Sequence, residues 1–425
     1  MSEQYTEPIV IIGSGHAGVA VAAGLRTRGW AGRIVLLDAQ DDAPYERPPL
    51  SKDLLAPGSS DRTALLRKED YYAAKGIERM AGQTVVSIDP AGRAVVLADG
   101  SRIPYHRLVI ATGSRARALP VPGADLDGVL ALRTYQDGLA IRRALVPGAR
   151  VVVIGAGFIG MEVAAAAVKN GCFVTVLEFQ DRVMKRVTSQ PVSAFFEQLH
   201  RSQGVLLEFG AAVTELQGNG RVERVLTSDG RTFEADVVVA GIGVLPNQEL
   251  AESAGLTCRD GVLVDEQCRT SVPGIYAAGD VTRFTGAFSG ASQRLESIQN
   301  ANAQAEAVVN SILAGQATPP EVPWFWTVQH GVRLQTAGVM HPDDEVIVRG
   351  DPAAGKFSVV YLREGRLAAV DTVGGLADFR PAKKLIPAGL LLDPALVEDP
   401  AVKLEDAVTG AGTRPATSMT AAAPV

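Results

Sequence analysis

Apolar runs that end in glycine occur twice along the chain, and each is followed by a helical stretch and a second apolar run. The first run, PIVIIG, covers residues 8–13, and its partner covers residues 33–38. The second run, RVVVIG, covers residues 150–155, and its partner covers residues 173–178. Uninterrupted apolar runs of this length are typical of strands buried on both faces of a parallel sheet. We therefore predict two complete βαβ units.

The rest of the chain follows a different pattern. A further strand runs into a turn at Gly279-Asp280. After about Pro319 the pattern changes to Trp324-Phe-Trp326 and to short alternating runs, such as the one that begins at Phe357, which indicate antiparallel strands. The stretch from Ala407 is rich in Ala, Thr, Gly and Pro without periodicity, and it predicts a flexible tail. The predicted fold class is α/β, with two Rossmann-type domains plus an α+β C-terminal domain.

Composition and charge exclude several classes of protein. The 425 residues carry a formal net charge of −6, whereas nucleic-acid-binding proteins are usually basic. Three cysteines are too few for a disulfide framework, which suits a cytoplasmic protein, and five scattered histidines lack the spacing of a metal site. The N-terminus has no basic n-region, and the longest apolar stretch, residues 151–168, contains Glu162 and several glycines. We predict neither a secretory signal nor a membrane span.

The turn after the first strand has the sequence GSGHAG, and each glycine in it has a physical role. Gly13 makes the tight turn, Gly15 lets the backbone approach a pyrophosphate, and Gly18 lets the helix pack closely on the strand. The helix N-terminus then offers unpaired N–H groups and a positive dipole end to phosphates. Asp38 lies 20 residues after Gly18, where its carboxylate can accept hydrogen bonds from a ribose. This unit predicts a dinucleotide site.

The second unit repeats the pattern with Gly155, Gly157 and Gly160, followed by a helix predicted over residues 161–170. Glu178 takes the ribose position, 18 residues after the last glycine. A carboxylate there bonds the 2′-hydroxyl of NAD and repels the 2′-phosphate of NADP, so we predict a preference for NAD. Three basic residues nearby either soften this preference or form a solvated basic face, the interpretation that we favour: Arg182, Lys185 and Arg186.

The most specific local signal is PYERPPLSK at residues 44–52, where prolines stiffen the chain before Ser51-Lys52 and the serine can cap a following helix. With the two Rossmann units, the run at 111–113 and the turn at 278–280, this segment resembles the FAD-dependent ferredoxin reductase family, which has the glutathione-reductase-type fold. The resemblance spans roughly residues 8–405. It implies an FAD-binding domain at residues 1–112 and 245–322, an NAD-binding domain at 113–244, a C-terminal α+β domain at 323–406 and a tail at 407–425.

The same resemblance assigns residues to the reacting ends of the cofactors. Lys52 is expected beside the flavin N5 and O4, where its ammonium group stabilises the reduced flavin. Glu162 is its expected ion-pair partner. Phe158 and Ile159 are expected against the nicotinamide.

Further residues are assigned to FAD by resemblance. Asp280 is expected to bind the ribityl chain, Arg133 and Val85 to line the adenine half, and Ala17 to belong to the phosphate turn. Ile298 and Trp326 are expected to face the isoalloxazine. Relatives often carry glycine followed by an acid where this chain has Asp38-Ala39, so the ribose carboxylate is displaced by one residue. The other residues expected to contact a cofactor are Arg47, Ala111, Thr112, Gly113, Gly243, Gly279 and Glu296.

Absent motifs narrow the chemistry. Dithiol relatives carry Cys-x4-Cys where this chain has residues 45–52, thioredoxin reductases carry Cys-x-x-Cys in the nicotinamide domain, and this chain has neither. The resemblance therefore implies that NADH gives a hydride to the flavin N5. The reduced flavin then passes single electrons to a 2Fe–2S ferredoxin that serves a monooxygenase or a Rieske-type dioxygenase.

Two alternatives stay open. One is an NADH oxidase or peroxidase, which the missing cysteine disfavours. The other is a redox-sensing protein that resembles apoptosis-inducing factor, for which a long insertion or a basic nucleic-acid surface would be expected. Whether the chain is a monomer or a homodimer is also open.

A ferredoxin of this kind is generally acidic, and this chain is itself net negative, so docking would need a local basic patch. Two stretches are candidates for this patch: one contains Arg380, Lys383 and Lys384, and the other contains Arg67. The alternative is that these residues are ordinary solvated charges.

Overall fold

The computed structural model describes residues 6–375 and 377–410, which form two compact units. The first unit comprises the residues up to 185 together with 196–284 and 293–321; the second comprises 186–195, 285–292 and the described residues from 322 onward. Of the stretch expected to be a flexible tail, Val408–Gly410 form a strand, and residues 411–425 lie outside the described residues.

The strands and helices are numbered in chain order. The strands that begin before residue 294 are β1 Ile9–Ile12, β2 Ile34–Leu37, β3 Ile77–Met80, β4 Val85–Asp89, β5 Ala94–Leu97, β6 Arg102–Pro104, β7 Arg107–Ile110, β8 Ser114–Ala116, β9 Val129–Ala131, β10 Arg150–Ile154, β11 Phe173–Glu178, β12 Leu206–Phe209, β13 Val213–Gln217, β14 Arg224–Thr227, β15 Thr232–Glu234, β16 Val237–Ala240, β17 Val244–Pro246, β18 Val262–Leu263, β19 Ile275–Ala277, β20 Thr282–Thr285 and β21 Ser292–Gln293. The later strands are β22 Trp324–Gln329, β23 Val332–Gly338, β24 Glu345–Asp351, β25 Lys356–Arg363, β26 Arg366–Val373, β27 Leu391–Leu392 and β28 Val408–Gly410. The α-helices are α1 His16–Thr27, α2 Glu69–Ala74, α3 Tyr135–Ala144, α4 Phe158–Lys169, α5 Gln190–Ser202, α6 Glu249–Ser253, α7 Ile298–Ala314, α8 Phe379–Ala388 and α9 Pro394–Glu398.

The first unit contains the same architecture twice. One parallel sheet has the strand order β3-β2-β1-β7-β19, and the other has the order β12-β11-β10-β16-β9. In each repeat a small antiparallel sheet, β4-β5-β6 or β13-β14-β15, directly precedes along the chain the strand that is fourth in this spatial order, β7 or β16. Every residue of β1, β2 and β16 is buried, as expected for strands covered on both faces. The predicted fold class is therefore confirmed.

The two repeats are joined by a short antiparallel pair, β8 with β17, in which Ser114 lies opposite Pro246. These strands lie where the chain passes from the first repeat into the second and back again. Both repeats belong to one compact unit, and the boundaries expected at 112/113 and 244/245 stay a prediction.

The second unit is built on an antiparallel sheet with the strand order β22-β23-β26-β25-β24. Helix α8 packs on this sheet and buries Phe379, Ala382, Leu385 and Ile386. The arrangement agrees with the antiparallel strands expected after residue 319. Among the described residues of both units, no helix is long and apolar enough to cross a bilayer.

A buried ion pair ties the sheet of the second unit to the N-terminus of α8. Arg349 on β24 lies 3.1 Å from Asp378, and the two side chains are only 6% and 9% exposed. The guanidinium group also donates hydrogen bonds to the carbonyls of Val397 and Asp399, at 2.7 and 2.6 Å. Removing one partner of such a pair leaves a buried charge without compensation.

We expect Asp378→Ala to lower the free energy of unfolding by about 3–5 kcal/mol, the range for breaking a buried ion pair. The matched control is Glu78→Ala, because Glu78 pairs with Arg33 at 2.8 Å while both side chains are at least half exposed. Loss of an exposed pair costs less than about 1 kcal/mol. Guanidinium unfolding followed by tryptophan fluorescence measures both, and equal losses in the two variants would contradict the prediction.

Candidate functional site

The turn between β1 and α1 is packed so closely that side chains are excluded from two of its positions. A Cβ atom on Gly13 would overlap the carbonyl oxygen of Ala111, and one on Gly18 would overlap that of Gly13. A Cβ atom on Gly15 would meet nothing within 4 Å. Gly15 is also the N-cap of α1 and provides no side-chain cap, so the first N–H groups of the helix face this open space. The turn therefore fits a pyrophosphate.

The turn between β10 and α4 has the same construction. A Cβ atom on Gly155 would lie 2.6 Å from the carbonyl oxygen of Gly241, and one on Gly160 would overlap the carbonyl oxygen of Gly155. Gly157, the uncapped N-cap of α4, has open space around the position of a Cβ atom. Both helices begin directly after the middle glycine, so α4 starts at Phe158, three residues before its predicted start at Met161.

Asp38 and Glu178 occupy equivalent positions in the two repeats. Each follows the residue, Leu37 or Leu177, whose carbonyl accepts a 2.8 Å hydrogen bond from the first glycine of its turn. Asp38 accepts the N–H of Gln40 at 3.0 Å and the hydroxyl of Ser14.

Glu178 accepts the N–H of Gln180 at 2.8 Å and that of Ala156 at 2.6 Å. Both carboxylates are thus fixed beside a glycine turn, where a ribose would lie. Asp38 has the same position relative to its strand and glycine turn as Glu178 has in the second repeat, even though the residue after Asp38 is alanine.

Parallel strands bring the remaining motifs of the first repeat to the same edge of the sheet. Ile110 pairs with Ile12 and with Ala277, so the turns that follow β1, β7 and β19 are neighbours. Gly279 lies against α1, because a Cβ atom there would be 3.1 Å from the Cβ of Ala17.

In the second repeat Ala240 pairs with Ile154, which gives Gly243 the position that Gly113 has in the first. Both glycines have positive φ, +98° and +65°, and such backbone favours glycine.

An ion-pair cluster lies at this edge of the first sheet. Arg133 donates to Asp280 at 2.8 Å and to the carbonyl of Ser114 at 2.7 Å, and the Ser114 hydroxyl donates to Asp280 at 3.1 Å. Arg47 donates to the carbonyl of Arg133 at 2.7 Å. Arg47 and Arg133 thus bring two guanidinium groups to this edge beside Asp280, and guanidinium groups are well suited to bind phosphate.

Burial and this charge act on the neighbouring histidine. Burial, together with the positive charges of Arg47 and Arg133, lowers the pKa of His16 to about 4. His16 is therefore neutral at pH 7, and it is the first residue of α1. Burial, with a smaller contribution from Arg133, also lowers the pKa of Arg47.

Lys52 and Glu162 form an ion pair that joins the proline segment to α4. Lys52 Nζ lies 2.7 Å from Glu162 Oε2, and the side chains are 21% and 2% exposed. The Ser51 hydroxyl donates to the same carboxylate oxygen. The expected helix cap by Ser51 is wrong: the next turn, Asp53–Leu55, has Lys52 as its N-cap and no side-chain cap, because the Ser51 hydroxyl points to Glu162 instead.

The other predicted residues lie as follows. Ile159 on α4 is 44% exposed beside Phe158, and Ile298 is the first residue of α7, whose N-cap is Ser297. Glu296 pairs with Arg294, and Val85 begins β4, whereas Trp326 lies in the second unit. Of the three basic residues after Glu178, Lys185 pairs with Asp181 at 2.9 Å.

Three residues of the site were missed in the sequence analysis. His16, Ser51 and Ser114 each lie next to a predicted residue, yet their importance comes from partners far along the chain. A serine or histidine directly beside a motif glycine or lysine is the signal that could have found them.

Comparison with known proteins gives the family. The profile of the pyridine nucleotide-disulphide oxidoreductase family matches residues 7–305, and that of the reductase C-terminal domain matches residues 324–408. The chain belongs to the pyridine nucleotide-disulphide oxidoreductase family. Members use FAD and NAD(P)H, so the prediction of these cofactors is confirmed, and the chain is an oxidoreductase. The glycine turns, the two carboxylates and the basic cluster fit two such dinucleotides.

Individual relatives agree with the resemblance expected from the sequence. The chain is 42% identical to a ferredoxin–NAD(P)(+) reductase from Sphingomonas sp., covering 94% of this chain and 97% of the relative. It is 42% identical to putidaredoxin reductase from Pseudomonas putida, covering 95% and 97%. The crystal structure of a covalent putidaredoxin reductase–putidaredoxin complex matches with a TM-score of 0.91 at 41% identity, covering 95% and 98%.

The geometry of Glu178 predicts a nucleotide preference. We expect the unmodified protein to have a higher kcat/KM for NADH than for NADPH, and Glu178→Ala to narrow that gap by roughly tenfold, because repulsion of the 2′-phosphate is relieved. Steady-state kinetics with both nucleotides measure the ratio.

The matched control is Asp38→Ala, which removes the equivalent carboxylate of the other turn. It should weaken FAD retention and leave the NADH/NADPH ratio unchanged. Equal efficiency with both nucleotides in the unmodified protein would contradict the assignment of Glu178.

Proposed function

We propose that the chain is a cytoplasmic NADH-dependent ferredoxin reductase, which passes electrons from NADH through bound FAD to a 2Fe–2S ferredoxin that serves an oxygenase. The observation that carries the proposal is the Lys52–Glu162 ion pair. Lys52 follows the first dinucleotide turn along the chain, and Glu162 lies one helical turn into α4, which begins at the second. The pair therefore joins the proline segment to the helix that begins at the second dinucleotide turn, and this contact supports a hydride path beside Lys52.

The residues of this pair have defined tasks in the proposed reaction. FAD, when bound, accepts a hydride from NADH and can release its electrons singly. Lys52 presents a partly buried positive charge. Such a charge stabilises the negative charge on a reduced flavin far more than an exposed positive charge would. Glu162 holds the ammonium group in place. Glu178 and the α4 N-terminus bind the adenosine and pyrophosphate of NADH, and Phe158 and Ile159 lie at the start of the same helix.

Electron release requires an external acceptor in this proposal. Residues 44–52 contain no cysteine, so a thiol relay beside Lys52 is excluded. Relatives named as reductases of oxygenase systems include the ferredoxin–NAD(+) reductase subunit of a benzene 1,2-dioxygenase system from Pseudomonas putida, 38% identical over 94% of this chain. These names, together with the structure that holds putidaredoxin, support a 2Fe–2S ferredoxin as the acceptor.

The test measures where the electrons go. Stopped-flow mixing with NADH should bleach the flavin absorbance, and cytochrome c reduction should then depend on an added 2Fe–2S ferredoxin such as putidaredoxin. Fast oxygen consumption without ferredoxin would indicate the oxidase alternative. Flavin reduction too slow to support turnover would indicate a redox-sensing protein.

Lys52→Met provides the prediction for the site. We expect it to lower the reduction potential of the bound flavin and to slow flavin reduction by NADH by roughly tenfold, because the charge that stabilises the reduced form is lost. Lys52→Arg, which keeps the charge, is the control and should lie nearer the unmodified protein. An unchanged potential in Lys52→Met would remove Lys52 from the mechanism.

A second prediction concerns docking on α8. Arg380 and Lys384 lie four residues apart on one exposed face of this helix, whereas Lys383 is half-buried, with its ammonium 5.4 Å from the Trp324 ring centroid. Arg67, the other candidate, is exposed over the ring of Tyr71 at 5.6 Å.

If the α8 face steers an acidic ferredoxin, reversing Arg380 and Lys384 to glutamate should raise the KM for ferredoxin several-fold and leave that for NADH unchanged. Ferredoxin-dependent activity should also fall steeply as salt shortens the Debye length below roughly 8 Å.

The matched control reverses Lys356 and Lys403, exposed residues of the same unit that lie outside α8. It changes the net charge by the same amount. A similar rise in the KM for ferredoxin in both double variants would show that net charge, and not the α8 face, is responsible.

A further inference from the structure

One oxygen of the Glu162 carboxylate accepts two donors from consecutive residues. Lys52 Nζ lies 2.7 Å from Oε2, and the Ser51 hydroxyl donates to the same atom. Ser51 is 3% exposed, and the Glu162 side chain is 2% exposed. Water therefore has little access to this carboxylate, and its orientation depends on its protein partners.

The backbone holds both donors in place. The turn Pro48–Ser51 begins with two prolines, and the N–H of Lys52 donates to the carbonyl of Pro49 at 3.1 Å. The second acceptor near the Ser51 hydroxyl, the carbonyl of Pro48, lies at 3.5 Å, the limit for a hydrogen bond. Glu162 is thus the principal partner of this hydroxyl among the contacts that the described residues show.

We propose that Ser51 is a positioning residue for the flavin reaction, and the proposal rests on the role of Lys52 in the proposed function. The Ser51 hydroxyl satisfies part of the hydrogen-bonding capacity of Glu162 Oε2 and holds the carboxylate in one orientation. The ammonium group of Lys52 is then held at a fixed place, and its other N–H donors stay available to the flavin. Without the hydroxyl, the buried oxygen loses one of its donors, and the ammonium group of Lys52 is drawn toward Glu162.

The expected consequence is electrostatic. A lysine drawn onto its carboxylate presents less positive charge to the flavin, so the reduced form is stabilised less. Ser51→Ala should therefore lower the flavin reduction potential and slow flavin reduction by NADH by about threefold to tenfold, with FAD still bound. A serine that only fills space would change the stability of the protein and leave the potential unchanged.

The matched control is Ser59→Ala. Ser59 lies in the same segment and donates to the carbonyl of Leu54 at 2.8 Å, so this variant removes a comparable hydroxyl that does not touch Glu162. It should leave the potential unchanged. Ser51→Cys fills the space of serine with a weak donor and should behave like Ser51→Ala, and it replaces that variant if the smaller side chain prevents FAD binding. Ser51→Thr restores a hydroxyl and should recover the potential.

A double-mutant cycle decides whether Ser51 acts through Glu162. The potential is measured by spectroelectrochemical titration in Ser51→Ala, Glu162→Gln and the double variant. If the proposal holds, Ser51→Ala shifts the potential in the unmodified background and has no further effect once Glu162 is glutamine. Equal shifts in both backgrounds, or no shift with Ser51→Ala and Ser51→Cys, would overturn it.

The same titrations separate this proposal from the proposed function. Unchanged potentials in both Lys52→Met and Glu162→Gln would contradict the role of the ion pair itself. Shifts in those two variants with none in the Ser51 variants would retain that role and refute the positioning role of Ser51 alone.

Discussion

The close approach of two helix N-termini to two parallel strands is the constraint on which the rest of the site depends. Side chains are excluded at Gly13 and Gly18 in one repeat and at Gly155 and Gly160 in the other, because carbonyl oxygens occupy the space. The helices can therefore begin directly at the sheet edge, where their N–H groups point outward. A side chain at Gly18 or Gly160 would push the helix away from its turn and strand, and one at Gly13 or Gly155 would displace the loop that follows the neighbouring strand. Asp38 and Glu178, the acids at the strand ends, lie beside the glycine turns only because of this close approach.

The two glycine turns belong to separate repeats, and the Lys52–Glu162 ion pair joins the proline segment to α4, the helix that follows the second turn. Glu162 lies in the first helical turns of α4, and Lys52 lies between two short turns after the proline segment. A buried ion pair is a weak source of stability, because desolvation offsets much of the attraction. The presence of the Lys52–Glu162 pair is better explained by the positive charge of Lys52, which the pair holds at a defined place. This view also explains why the prolines precede Lys52, since a stiff segment fixes where that charge lies.

Local features of the fold could be predicted from the sequence, and long-range ones could not. The glycine spacings and the acids at strand ends follow from the geometry of a single βαβ unit, so the positions of Asp38 and Glu178 beside the turns could be predicted without knowledge of any tertiary contact. By contrast, the hydrogen bond from Ser51 to Glu162 joins residues 111 positions apart, and the pair of Arg133 with Asp280 spans 147. The glycine motif predicts the start of α4 three residues too late, because Gly160, the last glycine of the motif, lies inside the helix and not in the turn.

The strand order has a consequence for how the chain folds as it leaves the ribosome. The second sheet is assembled from a continuous stretch, β9 at 129–131 to β16 at 237–240, and needs no later strand. The first sheet starts earlier along the chain, yet its edge strand β19 is Ile275–Ala277, and Asp280 follows that strand. Since protein segments generally fold as units during synthesis, the sheet that begins second is completed first. The sheet that carries the N-terminal glycine turn therefore stays incomplete until more than half of the protein has been synthesised.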